Sequence, residues 1–167
     1  MKLVIGLLTC CILLAGCDAD RIAKLEKENA ELKAKIEKQS LVADYDHQAK
    51  CAKDARSWFN ENWSRGKNTI ILDFTNHYNV KLNKCFILVE HHYNSHLASS
   101  GGDSWTNDMS ITDVYENSTY AQFTENHYIY WKPKYSEGEE VITCSVGGAT
   151  CKTGEEFNDL IRPHMND

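Results

Sequence analysis

The sequence predicts an α+β protein in which a long N-terminal helix with a short coiled-coil pattern leads into an antiparallel sheet covered by helices. Three observations carry this expectation. Apolar residues recur at helical spacing between Ile22 and Trp63, the pattern changes to β-branched apolar runs after Gly66, and a capping pattern at Thr153 opens a last helix. Of 167 residues, those from 41 to 167 are enough for one modest globular domain. The formal net charge is −6, and no basic patch supports nucleic-acid binding.

Taken in order, the first element is a short positive start, the amino terminus with Lys2, followed by thirteen residues from Leu3 to Ala15 that are apolar or small. That run is too short for a hydrocarbon layer of about 30 Å and has the form of an export signal. It closes on Leu14-Ala15-Gly16-Cys17, which resembles the lipobox of bacterial lipoproteins. The resemblance implies that residues 1–16 are a signal peptide, that the Cys17 thiol is acylated, and that Cys17 becomes the first residue. Fatty chains contribute about 0.8 kcal/mol per buried CH₂, so two or three of them anchor a protein stably on a bilayer. Asp18 next to that cysteine resembles the inner-membrane retention signal of enteric bacteria. The expected location is therefore the cell envelope, with the periplasmic face of the inner membrane favoured over the outer membrane.

Residues 17–40 form the second part, a lipidated N-terminus and coiled-coil-like stalk. Eleven of the twenty-one side chains from Asp20 to Ser40 are charged, without Gly or Pro. Ile22, Leu25, Asn29, Leu32 and Ile36 fall at the a and d positions of a heptad, and in a parallel pair Arg21 would meet Glu26 and Glu28 would meet Lys33. The pattern stops at Gln39, which leaves two readings open: self-association through residues 20–38, or a solvated single helix acting as a spacer. In plan this segment resembles the murein lipoprotein of enteric bacteria, without its lysine-rich C-terminus, so covalent attachment to the wall is not implied.

The domain proper starts with an amphipathic helix from Leu41 to Ser64, its stripe being Leu41, Tyr45, Ala49, Ala52, Ala55, Phe59 and Trp63, with Gly66 as the stop. Strands are expected over 69–75, 84–90, 110–116, 120–124, 127–132 and 140–145, with a polar loop from Asn94 to Asp108. At the C-terminus, Thr153 with Glu156 forms a capping box, and Phe157, Leu160, Ile161 and His164 supply an apolar edge. Both helices are expected on one face of the sheet.

With Cys10 and Cys11 in the signal and Cys17 acylated, four cysteines remain for an oxidising compartment: Cys51, Cys85, Cys144 and Cys151. The Gly147-Gly148 reversal favours a local Cys144–Cys151 bridge, and Cys51 then pairs with Cys85 by elimination. The domain also resembles a group of exported proteobacterial proteins. The shared residues are Tyr45, Lys50-Cys51-Ala52, Thr75 to Asn79, Lys81 to Phe86, Cys144, Cys151 and Glu156-Phe157. This resemblance transfers no catalytic or binding residue.

The residues themselves point to a non-catalytic binding role with an envelope protein or glycan, and no cofactor is called for. The alternative is a zinc-dependent hydrolase built on Glu90, His92 and His96, since neutral imidazoles and a carboxylate suit Zn²⁺, although the spacing matches no metalloprotease motif. A further pattern is the echo of Asn76-His77-Tyr78, His92-Tyr93-Asn94 and Asn126-His127-Tyr128. On strands each places histidine on one face and tyrosine on the other, an arrangement suited to sugar or protein contacts.

Overall fold

The computed structural model describes residues 2–97, 102–131 and 134–166, and the side chains of 19–94, 102–131 and 134–166. The side chains of residues 1–16, where a signal peptide is expected, and of Cys17, Asp18 and His96 lie outside the described residues. The elements are α1 (Lys2–Asn62), β1 (Thr69–Asn79), β2 (Lys84–Leu97), β3 (Gly102–Asp113), β4 (Ser118–Tyr130), β5 (Ser136–Val146), β6 (Ala149–Thr150) and α2 (Gly154–Met165). The α+β expectation holds at this level: a helix, a six-stranded sheet and a C-terminal helix. Two compact units divide the chain, Met1–Tyr45 and Asp46–Asp167.

In the first unit, over residues 19–45 whose side chains are described, the heptad positions are bare: Ile22, Leu25, Leu32 and Ile36 are all at least half exposed. Lys24 and Glu28 form an exposed pair one turn apart, at 3.9 Å. Among the described residues, no helix is long and apolar enough to cross a membrane.

In the second unit all strand neighbours are antiparallel and the sheet order is β1-β2-β3-β4-β5-β6, a meander. Turn chemistry accounts for the connections. Asn83 and Asn117 take positive φ in the β1–β2 and β3–β4 turns, and Gly147-Gly148, both at positive φ, make the tight β5–β6 reversal. The strands run longer than the sequence pattern suggests. Asn94 to Asp108 is mostly sheet, because β2 continues to Leu97 and β3 starts at Gly102, and the stretches 120–124 and 127–132 belong to one strand, β4. Polar residues here pair with polar residues across the ladder, as Asn107 does with Glu125, so backbone pairing persists without apolar alternation.

The two helices cover opposite faces of the sheet, not one. Strand β2 decides this, since Cys85, Ile87 and Val89 pack with Cys51, Ala55, Trp58 and Phe59 of α1, while Phe86 and Leu88 point the other way toward Phe157 and Ile161 of α2. A strand apolar at every position is buried on both sides. Phe123, Ile111, Ala121 and Val146 complete the α2 side, and Tyr78 and Phe74 complete the α1 side. On α1 the buried line runs through Cys51 and Ala55, whereas Leu41 and Tyr45 of the expected stripe are exposed.

Both disulfides form as expected: Cys51–Cys85 joins α1 to β2, and Cys144–Cys151 closes the β5–β6 hairpin. The α2 capping box is present with one change: the Thr153 hydroxyl accepts from the Glu156 N–H, but the Glu156 carboxylate accepts from Lys152 N–H at 2.7 Å instead of from the cap residue. At the other end of α2, the Asn79 side chain, almost wholly buried, donates to the carbonyls of Pro163 and His164 and accepts from Leu82 N–H.

Candidate functional site

Strand register places the site. On the α1 face the rows across the sheet read Tyr93, Thr106, Asn126, Glu140, and then Ser104, Tyr128, Gly138. A groove of about 610 Å³ lies here, lined by Tyr93, Ser104, Thr106, Asn126, His127, Tyr128, Tyr130 and Glu140. Its floor is β3, where Ser104 and Thr106 are short; its sides carry tyrosine rings from β2 and β4. Its volume falls in the range of small-ligand sites.

Two local features hold this surface. Thr106, 5% exposed, donates its hydroxyl proton to the Asn126 side-chain oxygen at 2.8 Å, which orients the amide. Gly138 on β5 makes room for the Tyr128 ring: a Cβ at 138 would stand 2.5 Å from the ring carbon and hydroxyl of Tyr128. Tyr128 thus lies across β5 and packs beside Tyr130, ring centres 5.4 Å apart. On the opposite wall a line of rings, Trp63, His91 and Tyr93, runs from the end of α1, with centre spacings of 5.6 and 4.8 Å. Burial pushes the His91 imidazole below its ordinary pKa despite the nearby Asp108 carboxylate, and His92 adds to the lowering. Its Nε2 is 3.2 Å from the Thr69 hydroxyl.

The α2 face has a different character beyond the helix. The His127 ring stacks flat on Trp105, its Nε2 is 2.9 Å from the Glu125 carboxylate and 3.2 Å from the Asn107 amide, and its Nδ1 is 3.9 Å from Glu139. One ligand atom from each of Glu125, His127 and Glu139 lies within 4.8 Å of the others. This triad has donor types that suit a divalent cation. Glu125 and His127 are two apart on one strand and so share a face, a signal legible in the sequence; Glu139 joins them only through the β4–β5 register, which a bulge at Thr124 shifts.

The residues singled out in the sequence are distributed as follows. Glu90 and His92 share the α2 face, His92 opposite Asn107 and Glu90 opposite Met109. Because β2 is unbroken from Lys84 to Leu97, positions 92 and 96 are about 13 Å apart along the strand, which spreads the Glu90, His92, His96 set along the sheet instead of gathering it. The three-fold echo keeps its alternation: register puts His77, His92 and His127 on the α2 face and Tyr78, Tyr93 and Tyr128 on the α1 face. Tyr78 is buried under α1, where it hydrogen-bonds Asn83, and the other two tyrosines line the groove. Ser104, Thr106 and Glu140 were beyond sequence reasoning, since nothing in their neighbourhood marks them before the strands are paired. Compared with known proteins, the chain matches no family model, no curated protein and no solved structure.

Proposed function

We propose that this chain is a lipid-anchored envelope lipoprotein whose C-terminal unit is a non-catalytic binding domain, held to the periplasmic face of the inner membrane through acylated Cys17. The observation that carries the binding role is the open groove of Tyr93, Tyr128 and Tyr130 over a floor of Ser104 and Thr106. Amphipathic rings beside hydroxyl and amide groups are the lining of recognition surfaces. The anchor is supported by the Leu14-Ala15-Gly16-Cys17 sequence and by two disulfides, which belong to an oxidising compartment.

Self-association is part of this reading. Ile22, Leu25, Leu32 and Ile36 are exposed at a and d spacing, and a second copy of the same helix would bury them while pairing Arg21 with Glu26 and Glu28 with Lys33. Confinement to a bilayer raises the effective concentration of a weak zipper.

Mass spectrometry of full-length protein expressed in a bacterial host tests the anchor. The expected product starts at Cys17 and carries acyl chains, and Cys17→Ala abolishes both the processing and membrane retention; an unmodified Cys17 in a full-length or freely released product refutes it. Fractionation of wild type against Asp18→Ser tests the side, with a shift of the variant to the outer membrane expected. Crosslinking in intact envelopes followed by recovery of the tagged chain tests the binding role.

A further inference from the structure

We infer that the groove on the α1 face binds carbohydrate, specifically an oligosaccharide of neutral or amino sugars; this rests on the binding role proposed above and names its ligand class. A sugar ring has an apolar face of C–H groups and a rim of hydroxyls, so its sites need aromatic faces next to short polar side chains. The negative face of an aromatic ring attracts the slightly positive C–H groups of the pyranose, and the hydroxyls need donors and acceptors together.

The groove offers that combination in one place. Tyr93 and Tyr128 stand on β2 and β4 with the low strand β3 between them, so a ring-sized trough runs between two platforms over Ser104 and Thr106. The Tyr128 platform is built, not incidental: it needs the missing Cβ at Gly138, on the next strand, to lie where it does. Asn126, oriented by Thr106, supplies an amide at the trough wall. Among the described residues no aliphatic side chain lines it, which sets this surface apart from a groove for a hydrophobic helix.

Charge selects among sugars. Glu140 lines the groove, and among the described residues no lysine or arginine lines it; Glu137 and Glu139 alternate to the other face of β5. Uronic acids, sulfated sugars and phosphorylated glycans would enter against the Glu140 carboxylate with no cation to offset it, whereas neutral hexoses and N-acetylhexosamines enter freely and free amino sugars gain from it.

The test is titration calorimetry on the full chain in detergent, with chito-oligosaccharide, its deacetylated form and cello-oligosaccharide as probes and heparin as the anionic control. Saturable binding of at least one of the first three, and not of heparin, is expected. Tyr128→Ala should weaken it about tenfold or more, while Tyr128→Phe, which keeps the ring, should stay within about threefold. Gly138→Ala displaces the Tyr128 ring while leaving the Ser104, Thr106 and Asn126 side chains unaltered, so it should weaken binding as well, and circular dichroism checks that each variant is folded. The deacetylated probe should lose its advantage over the acetylated one in Glu140→Gln. Absence of binding by all three neutral and amino probes to folded protein overturns the inference, as does binding indifferent to both Tyr128→Ala and Gly138→Ala. Capture of a basic peptide or an envelope protein in the groove, with these sugars not competing, also overturns it while leaving the broader binding role standing; failure of crosslinking to recover any envelope component or glycan would instead count against that role.

Discussion

Two carboxylates converge on Lys84. Its ammonium is 2.7 Å from the carboxylates of both Asp113 and Glu116, and Asp113 is 2% exposed while also accepting from the N–H groups of Tyr115 and Glu116. The Asp113 hydrogen bond first, and Glu116 second, raise the Lys84 pKa. Removing the cation leaves a buried carboxylate with backbone donors alone, so Lys84→Met is expected to cost about 2–4 kcal/mol in urea unfolding, less than a fully buried pair because Lys84 is itself about a third exposed. Two histidines are expected to reduce stability in acid. Burial lowers the pKa of His91 and of His164, the latter packed on Phe86 and Tyr120 with its Nε2 3.0 Å from the Tyr120 hydroxyl. For a group whose folded pKa lies below the unfolded value of about 6.5, the neutral ring's contribution is complete above that value and lost as pH falls through the folded pKa. The midpoint of thermal unfolding should therefore fall below pH 6.5, and His164→Phe should make that fall shallower. None of this was legible locally, because Lys84, Asp113 and Glu116 come from two different hairpins.

At the scale of elements, α2 shows what local sequence can and cannot specify. Its start was legible, since Thr153 and Glu156 satisfy backbone N–H groups within four residues of one another. Thr153→Ala is expected to lower stability by about 1 kcal/mol in chemical denaturation. Its end was not, since the partner of the Pro163 and His164 carbonyls is Asn79, which is buried at the end of β1. Asn79→Ala should cost about 2–3 kcal/mol, more than the cap, because it strips the last carbonyls of α2 and the Leu82 N–H of their partner at once. The strands behave similarly. Residues 84–90 were recognisable from their β-branched run, but β2 extends through His91 to Leu97 because β3 lies beside it to complete the ladder.

For the molecule as a whole, the disulfides differ in what they constrain. Cys51–Cys85 spans 34 residues and Cys144–Cys151 only 7, so loop-closure entropy assigns the first about 4 kcal/mol and the second about 2 kcal/mol. Replacing Cys51 and Cys85 together by Ala is accordingly expected to lower the unfolding midpoint further than replacing Cys144 and Cys151 together, and calorimetry of the two variants checks the ranking. Both pairings could be inferred in advance from the expected compartment and from cysteine spacing. The placement of the helices could not. Cys85 to Val89 reads simply as apolar, and only with α1 against Ile87 and α2 against Phe86 does the run resolve into two opposite faces.

Features that are local or countable could be read from the residues alone: the strand runs, the capped C-terminal helix, the disulfide partners, and the alternation that sends each His-Tyr pair to opposite sides. Those follow from backbone periodicity and short-range hydrogen bonding, which act within a few residues. The tertiary structure alone decided that Tyr93, Thr106, Tyr128, Gly138 and Glu140 meet, since they stand on four strands whose relative registers, bulge included, are set by pairing across the whole sheet. A groove is a property of that register, and a single residue of slip would turn its tyrosines to the other face.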